Sequence, residues 1–422
     1  MFFGSILGGI LSDRFGRLLI YRCGAILSLV SGVAIGFAPN IYVFAFLRCM
    51  VAISSCAAAK VAVVYVVEIC NERWRSFAGL SYTIGFGLGC MLLSVFAYFI
   101  RDWRTLEIAI SSTFAVCVVV SFCVDKSPRW VYVQGDSREA ETICRHIARR
   151  NGIVVSDEVW DQFEGVKEDE SKEKKVESKN TLKEMLIRPF TRLMLLNNMF
   201  VWMTTSLVYY GLTLNSGALA GNIFINNAAG GLMELMAALV SGPAIAKFGC
   251  RNSVIFYEFL ASFSCLVSTI AIQFANSNKA VETLGVVLAM IGRFGISAAW
   301  AVMYLHTPAL FATPGRSSAL GASSMASRVG SIITPFTLQL QYNIPWLTQT
   351  VFGIGAFIVA CLCTLYPETH GRPMMSSYDE AEMRFKRHVT QTRLYRIVCC
   401  FRSRPIEEDY NAREFETMEK VA

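Results

Sequence analysis

Apolar residues in this chain fall into long blocks rather than the one-sided stripe of a water-facing helix. The blocks cover residues 18–38, 42–67, 77–100, 106–124, 191–212, 223–246, 253–274, 281–306, 319–340 and 346–366, with a shorter one at 1–11. A helix needs about 20 predominantly apolar residues to span the hydrocarbon core of a bilayer. The pattern therefore predicts about eleven crossings, the first completed by residues that this chain does not carry. A charged stretch at 125–189 divides the blocks into five and six. Within it, Asp136 and Ser137 are suited to cap a helix reaching Asn151, with Ala140, Ile143 and Ile147 on one face. Residues 168–180 are a mixed-charge linker too polar to fold alone. Residues 181–187 read as a short amphipathic helix feeding the next crossing, and 381–396 as a surface helix in a charged tail. The expected organisation is a membrane half at 1–124, a central loop at 125–190, a second membrane half at 191–366 and a tail at 367–422.

Composition agrees with an all-α membrane protein. Of 422 residues, 54% are hydrophobic and 17% charged, and the mean hydropathy is +0.44. A soluble domain carries roughly a quarter of its residues as charges. Arg14, Arg17, Arg73, Arg75, Lys247, Arg251 and Arg316 fall on one face of the crossings, and Arg101, Arg104 and Lys279 on the other. The positive-inside rule makes the first face cytoplasmic, together with the central loop and the tail. The net charge of +7 needs no acidic partner once the basic loops are held on that face. Met1 opens directly inside an apolar run, without the basic region or cleavage site of a signal peptide. The cysteines lie in apolar runs or charged segments, none at metal-ligand spacing and none in an outer loop, so no disulfide is expected. Cys399-Cys400, beside Arg396 and Arg402, reads either as free thiols or as a palmitoylation site. No nucleotide-binding Gly-x-x-x-x-Gly-Lys loop, HExxH string or Cys/His cluster occurs. An enzyme, a metal and a cofactor are therefore not expected. Nucleic-acid binding is not expected either, because the basic residues sit beside crossings rather than on a compact soluble domain.

Charge inside the apolar blocks carries the functional signal. Arg328 sits in the middle of 319–340, in Ser323-Ser-Met-Ala-Ser-Arg-Val-Gly-Ser-Ile-Ile-Thr-Pro-Phe336. A guanidinium stays protonated, and holding it at membrane depth costs several kcal/mol even on lenient insertion scales. Such a charge belongs where it faces water, a partner or a cargo. Glu234, Glu258, Lys60, Arg48 and Arg293 also fall in or near apolar blocks. Glu234 is mid-block and reads equally as cavity-facing or structurally paired. Arg48 and Arg293 read as ion-paired or snorkelling. Lys60 fits no recognisable pattern. Gly4/Gly8, Gly32/Gly36 and Gly85-Phe-Gly-Leu-Gly89 are expected at close helix approaches. Pro335 is expected to bend its helix just past Arg328.

Three strings resemble a known family. Gly9-Ile-Leu-Ser-Asp-Arg-Phe-Gly-Arg17 is similar to the signature loop between the second and third helices of the major facilitator superfamily. Ser127-Pro-Arg-Trp130 and Pro367-Glu-Thr-His-Gly371 resemble the Pro-Glu-Ser-Pro-Arg-Trp and Pro-Glu-Thr-x-Gly strings of its organic cation and anion transporter family. Asp125 and Lys126 depart from the first of these, and the second-half copy of the signature loop has Ala246 where the family has an acid. The resemblance implies two pseudo-symmetric helix bundles, here lacking the first family helix. It implies a plasma-membrane transporter of small organic ions working by alternating access, with sodium or proton as the coupling ion if flux is coupled. Asp13, Arg14, Gly16 and Arg17, with Glu68 and Arg75 in the next inner loop, would form a cytoplasmic gate. Arginine at position 328 resembles the carnitine-type and organic-anion members, where cation carriers tend to have aspartate. Arg328, Glu234, Tyr209, Tyr210 and Trp300 are then the candidate substrate-binding residues. The guanidinium would hold a carboxylate, and the aromatics a quaternary ammonium by cation–π attraction. Carnitine-like zwitterions or cations are the first expectation. An organic-anion exchanger is the second, and a non-transporting sensor or inactive short form the third. A structural bridge from Arg328 to Glu234 or another acid is the plainer account, and the two readings can coexist.

Overall fold

Several helices of the computed structural model begin where a side-chain oxygen accepts a backbone N–H that the helix cannot use. Asn40 accepts from Val43 N at 2.9 Å, Asp102 from Thr105 N at 2.9 Å, Asp136 from Glu139 N at 3.0 Å and Asn222 from Phe224 N at 2.9 Å. The Asp102 carboxyl also accepts from the Thr105 hydroxyl, and that bond and the backbone one hold it below the usual carboxylate range. The structure describes residues 4, 8 and 11–391, apart from 13, 71, 134–135, 154–180, 216–218, 220, 274–278, 313–314, 341–343, 345, 370–374 and 376. Side chains at 67, 72–82, 129, 133, 181–183, 272, 282, 317, 390 and 391 are also outside the description. The expected linker at 168–180 and the Cys399-Cys400 pair lie outside it.

Helices α1 (Arg17–Ile35), α2 (Ile41–Ile69), α3 (Glu72–Phe99), α4 (Trp103–Ser112) and α5 (Phe114–Phe122) make up the first half. Next come α6 (Pro128–Val133), α7 (Ser137–Arg150) and α8 (Thr181–Ile187). The second half is α9 (Pro189–Asn215), α10 (Ile223–Phe248), α11 (Cys250–Gln273), α12 (Lys279–Leu310), α13 (Arg316–Gln339) and α14 (Leu347–Cys363), followed by α15 (Tyr378–Gln391). Among the described residues there is no strand. Among the described residues, six spans are long and apolar enough to cross a membrane: α1, Ile41–Val66 of α2, Trp103–Phe122, α10, Cys250–Ala271 of α11, and α12. Thr83–Phe99 and α14 are shorter apolar helices. α9 and α13 occupy the expected 191–212 and 319–340 blocks but are more polar, because the first carries Asn197, Asn198, Thr204, Thr205 and Ser206 and the second Arg328 among serines. The 106–124 block is one span interrupted at Thr113, whose hydroxyl donates to the Ile110 carbonyl at 2.7 Å.

Lipid gives apolar side chains no reason to leave it, so the helices associate through small residues and buried hydrogen bonds. Ser28 and Ser54 join α1 to α2 at 2.8 Å. Across the two halves, Gly87 of α3 lies against Gly231 of α10, and Asn227 donates to Ser94 Oγ at 2.8 Å. Of the Gly85/Gly87/Gly89 set only Gly87 is at a close approach; the other two face open space. α13 runs unbroken past Pro335 to Gln339.

Asp136 caps α7 as expected, and Ala140 is fully buried. The tail helix departs from expectation. It starts at Tyr378, and Ala381, Phe385 and Val389 are buried rather than lying on a surface. Their i, i+4, i+8 spacing puts one apolar stripe against the second half, with Phe385 and Phe311 ring centroids 6.0 Å apart. Glu382 completes the dock by accepting from Phe190 N at 2.9 Å and Thr191 N at 2.7 Å, at the start of α9.

A Cβ at Gly330 of α13 would stand 2.0 Å from the Met203 carbonyl of α9, whereas one at Gly321 of the same helix meets nothing within 4 Å. Gly330→Leu is expected to cost at least about 3 kcal/mol by forcing the two helices apart. Gly321→Ala is expected to leave stability unchanged. The apparent Tm of the detergent-solubilised chain distinguishes them.

Candidate functional site

α9 and α12 line one side of the interior with rings. On α12, Trp300 and Tyr304 are one turn apart; on α9, Trp202 and Tyr209 are two turns apart. The result is a continuous aromatic wall. Trp300 stacks on Tyr209, with centroids 5.7 Å apart and planes inclined by 18°. Trp202 contacts Trp300 at 5.4 Å and Tyr304 at 4.8 Å, and Tyr209 contacts Tyr210 at 5.2 Å. Tyr210, Trp300, Tyr304 and Arg328 are half-buried, so part of each remains open, while Trp202 is sealed. From α13, Arg328 engages the Tyr210 hydroxyl and lies in the electrostatic neighbourhood of Tyr304. From α2, in the other half, Lys60 sets its ammonium 5.4 Å from the Tyr304 ring centroid.

Glu234 lies behind this wall. It is 2% exposed and accepts from the Tyr209 hydroxyl at 2.6 Å. Arg293, 1% exposed, reaches the same carboxylate oxygen with Nη2 at 3.5 Å. Gly230 makes the room, since a Cβ there would fall 1.8 Å from Arg293 Nη1. The bridge that the sequence offered between Arg328 and Glu234 is therefore replaced by one from Arg293. Arg48, read as ion-paired or snorkelling, binds Glu107 at 2.8 Å. Glu258, fully buried, accepts from Thr205 at 2.7 Å.

At the basic-loop face, Arg17 Nε meets Glu68 at 3.3 Å and its Nη1 donates to Ser12 Oγ at 2.9 Å. The other Glu68 oxygen accepts from Ser127 Oγ at 2.6 Å, so two of the quoted strings share one carboxylate. Gly16 has φ +100°, a conformation that side-chain-bearing residues rarely adopt, and the Trp130 ring covers it, 3.2 Å from where a Cβ would be. Arg14 is exposed, with its guanidinium 5.5 Å from the Phe15 ring centroid. Asp13 and the Arg75 side chain lie outside the described residues.

The second half repeats the device with different chemistry. Gly249 has φ +83°, and the Glu368 carboxylate occupies the space beside it, 2.6 Å from a Cβ position. Glu368 accepts from Cys250 N at 3.0 Å at the start of α11, and Arg251 donates to the Thr364 carbonyl at 2.9 Å. The sequence has Ala246 in place of the family's acid, and the acid at this turn is Glu368 of the Pro367-Glu-Thr string.

Residues 1–380 match the family described as sugar (and other) transporter. Over 381 residues the chain is 31% identical to solute carrier family 22 member 15-like of Xenopus tropicalis, covering 90% of this chain and 76% of that protein. This chain belongs to the sugar (and other) transporter family and, within it, to solute carrier family 22. Human organic cation/carnitine transporter 2 is 32% identical to this family member over 385 residues, covering 89% of this chain and 66% of the relative. The solute carrier 22 chain spans about two thirds to three quarters of the length of the curated relatives it matches. The proton:xylose symporter of the major facilitator superfamily, from E. coli, superposes with a TM-score of 0.65 at 18% identity, over 88% of this chain and 85% of the symporter. This family member therefore has the major facilitator fold and is a multi-pass membrane transporter, not an enzyme.

Two stability experiments follow from the ion pairs. Arg293→Met is expected to cost about 3–5 kcal/mol, because Glu234 is left charged and buried, and adding Glu234→Gln is expected to restore most of the loss. A cycle of Arg17→Gln and Glu68→Gln is expected to give a coupling of about 1 kcal/mol. Apparent Tm values in detergent measure both, and additive Arg293 and Glu234 effects would contradict the assigned pairing.

Proposed function

We propose that this protein carries small organic ions bearing a carboxylate across the plasma membrane by alternating access, with carnitine-type zwitterions as the first class of cargo. One observation carries the reading: Arg328, a permanent cation inside the span, stands half-buried beside Tyr210 at the open edge of the aromatic wall. Its planar fork suits a carboxylate, and the faces of Tyr210, Trp300 and Tyr304 suit a quaternary ammonium. Tyr209 and Glu234 act behind them as positioning residues: the carboxylate fixes the Tyr209 hydroxyl, and Tyr209 fixes Trp300 by stacking. The carnitine preference draws support from the human organic cation/carnitine transporter 2 and from arginine at position 328. An organic-anion carrier is the second reading, favoured by a second cation, Lys60, at the same ring system.

The basic-loop face is cytoplasmic in this reading, as are the central loop and the tail. Residues 1–124 and 191–366 are the two rocking halves. Asp13, Arg14, Gly16, Arg17, Glu68 and Arg75 are the gate on that face. The Arg17–Glu68–Ser127 cluster ties the ends of α1 and α2 to the segment that leaves the first half, so movement of any one strains the other two. Flux is either facilitative or coupled to sodium or proton.

The test is uptake of labelled carnitine, an aromatic monocarboxylate and tetraethylammonium into proteoliposomes. A charge-assisted hydrogen bond contributes about 2 kcal/mol, or roughly 30-fold in an equilibrium. Arg328→Ala is expected to reduce carnitine and monocarboxylate uptake by about that factor while changing tetraethylammonium uptake far less. Equal loss of all three would remove Arg328 from carboxylate recognition.

A further inference from the structure

Arg22 lies five residues past Arg17 on α1, roughly 7.5 Å along the helix at 1.5 Å per residue, inside the apolar span Arg17–Ile35. Its guanidinium keeps its proton, so at that depth it reaches back toward the membrane surface. What it meets there is the last turn of α5. Nε and Nη2 donate to the Ser121 carbonyl at 3.3 and 2.8 Å, and Cζ lies 4.7 Å from the Phe122 ring centroid. A helix C-terminus offsets only about half an elementary charge. Among the described residues, no carboxylate pairs with Arg22. The acids of the neighbouring elements hold other groups: Glu68 of α2 binds Arg17 and Ser127, and Asp125, just past α5, binds His146 at 2.7 Å. Arg22 is half-buried, and its Nη1 is neither bonded within the described residues nor sealed by protein. A crevice of about 150 Å³ between α1, α2 and α5 reaches Ser121 and is lined by Leu18, Tyr21, Ala62, Tyr65 and Val120. Leu19, Val119, Val120 and Phe122 are exposed, so this corner belongs to the apolar outer surface of the span, which faces lipid in a bilayer.

We infer that this corner is a lipid site, which holds an anionic phospholipid from the leaflet on the basic-loop face. The headgroup phosphate takes the open Nη1 edge of the Arg22 fork, a geometry that suits a phosphate oxygen. The upper part of one acyl chain fills the crevice between α1, α2 and α5. Charge complementarity selects the headgroup. A choline lipid brings its own cation to the phosphate, whereas a net anionic lipid cancels the charge that the Ser121 carbonyl offsets only in part. The bound lipid braces the gate from outside, because the crevice wall includes Tyr65, whose hydroxyl donates to the Asp125 carbonyl at 2.7 Å, and Arg17 of the Arg17–Glu68–Ser127 cluster. The site belongs to the first half alone, and the inference does not depend on the cargo assigned to Arg328.

The test titrates dioleoylphosphatidylglycerol, dioleoylphosphatidylcholine and glycerol 3-phosphate into the purified full chain in a non-ionic detergent. The readouts are the shift in Tm and the lipid retained in native mass spectrometry. Phosphatidylglycerol is expected to raise the Tm of the wild-type chain, and phosphatidylcholine and glycerol 3-phosphate are not. One basic residue at a membrane surface is worth about fivefold in affinity for an anionic lipid, so Arg22→Gln is expected to weaken phosphatidylglycerol binding by about that factor. Arg22→Lys is expected to keep most of the response. Val120→Trp, at an exposed position that lines the crevice, is expected to lose the phosphatidylglycerol response while its lipid-free Tm stays at the wild-type value. Phosphatidylglycerol binding that is absent in wild type, or equal in wild type and Arg22→Gln, overturns the inference. So does a Tm rise with phosphatidylcholine equal to that with phosphatidylglycerol, or a rise with glycerol 3-phosphate alone, which would mark a site for soluble phosphate. If Arg22→Gln does not purify, the Val120→Trp and wild-type responses decide.

Discussion

The ion pair between Glu234 and Arg293 fixes the geometry on which the rest of the interior depends. Both groups are almost fully removed from solvent, and neither is tolerable there without the other. Glu234 is on α10 and Arg293 on α12, so the pair joins two helices, and the Tyr209 hydroxyl draws in a third, α9. Gly230 is part of the same arrangement, because any side chain at that position would displace the guanidinium. With Tyr209 held by its hydroxyl, its ring is presented to Trp300, and the aromatic wall follows from there. Neutralising a buried charge thus also orders the aromatic wall.

At the basic-loop face the two halves solve one problem by different means. Each has a glycine at positive φ immediately before a helix, which leaves a hollow where a side chain would be. In the first half an indole covers the hollow; in the second a carboxylate does, and that carboxylate also accepts the leading N–H of α11. Both covering residues come from strings that follow the last helix of their own half. The symmetry is one of position, with the chemistry free to differ.

Much of this was legible in the sequence, and what was not has identifiable causes. Block length predicted the helices, because a membrane span is set by bilayer thickness and needs no tertiary knowledge. The cap at Asp136 and the helix after it could be read for a similar reason, since both are local. The grouping of Arg328, Tyr210, Trp300 and Tyr209 was anticipated as a set of candidates, though only the structure brings the four side chains together. Partner choice was not legible. Arg328 was the arginine named for Glu234, whereas the structure pairs Glu234 with Arg293, for which Gly230 makes room. Lys60 had no local signal, because its neighbour Tyr304 is on a helix more than two hundred residues away. Tyr304 and Trp202 were readable in part from their helical spacing to Trp300 and Tyr209. The tail helix was misjudged because its apolar stripe of three residues is short, and burial depended on a groove that only the folded second half provides.

Glu382 has a consequence beyond docking the tail. The carboxylate grips the first turn of α9, and α9 then runs 27 residues as a single helix with its one proline at the start. A helix of that length is a rod of roughly 40 Å, and Tyr209 and Tyr210 ride near its far end. Tilting the anchored end by a few degrees sweeps the two phenols sideways by an ångström or more, so the tail helix holds one end of a lever whose other end carries the aromatic wall.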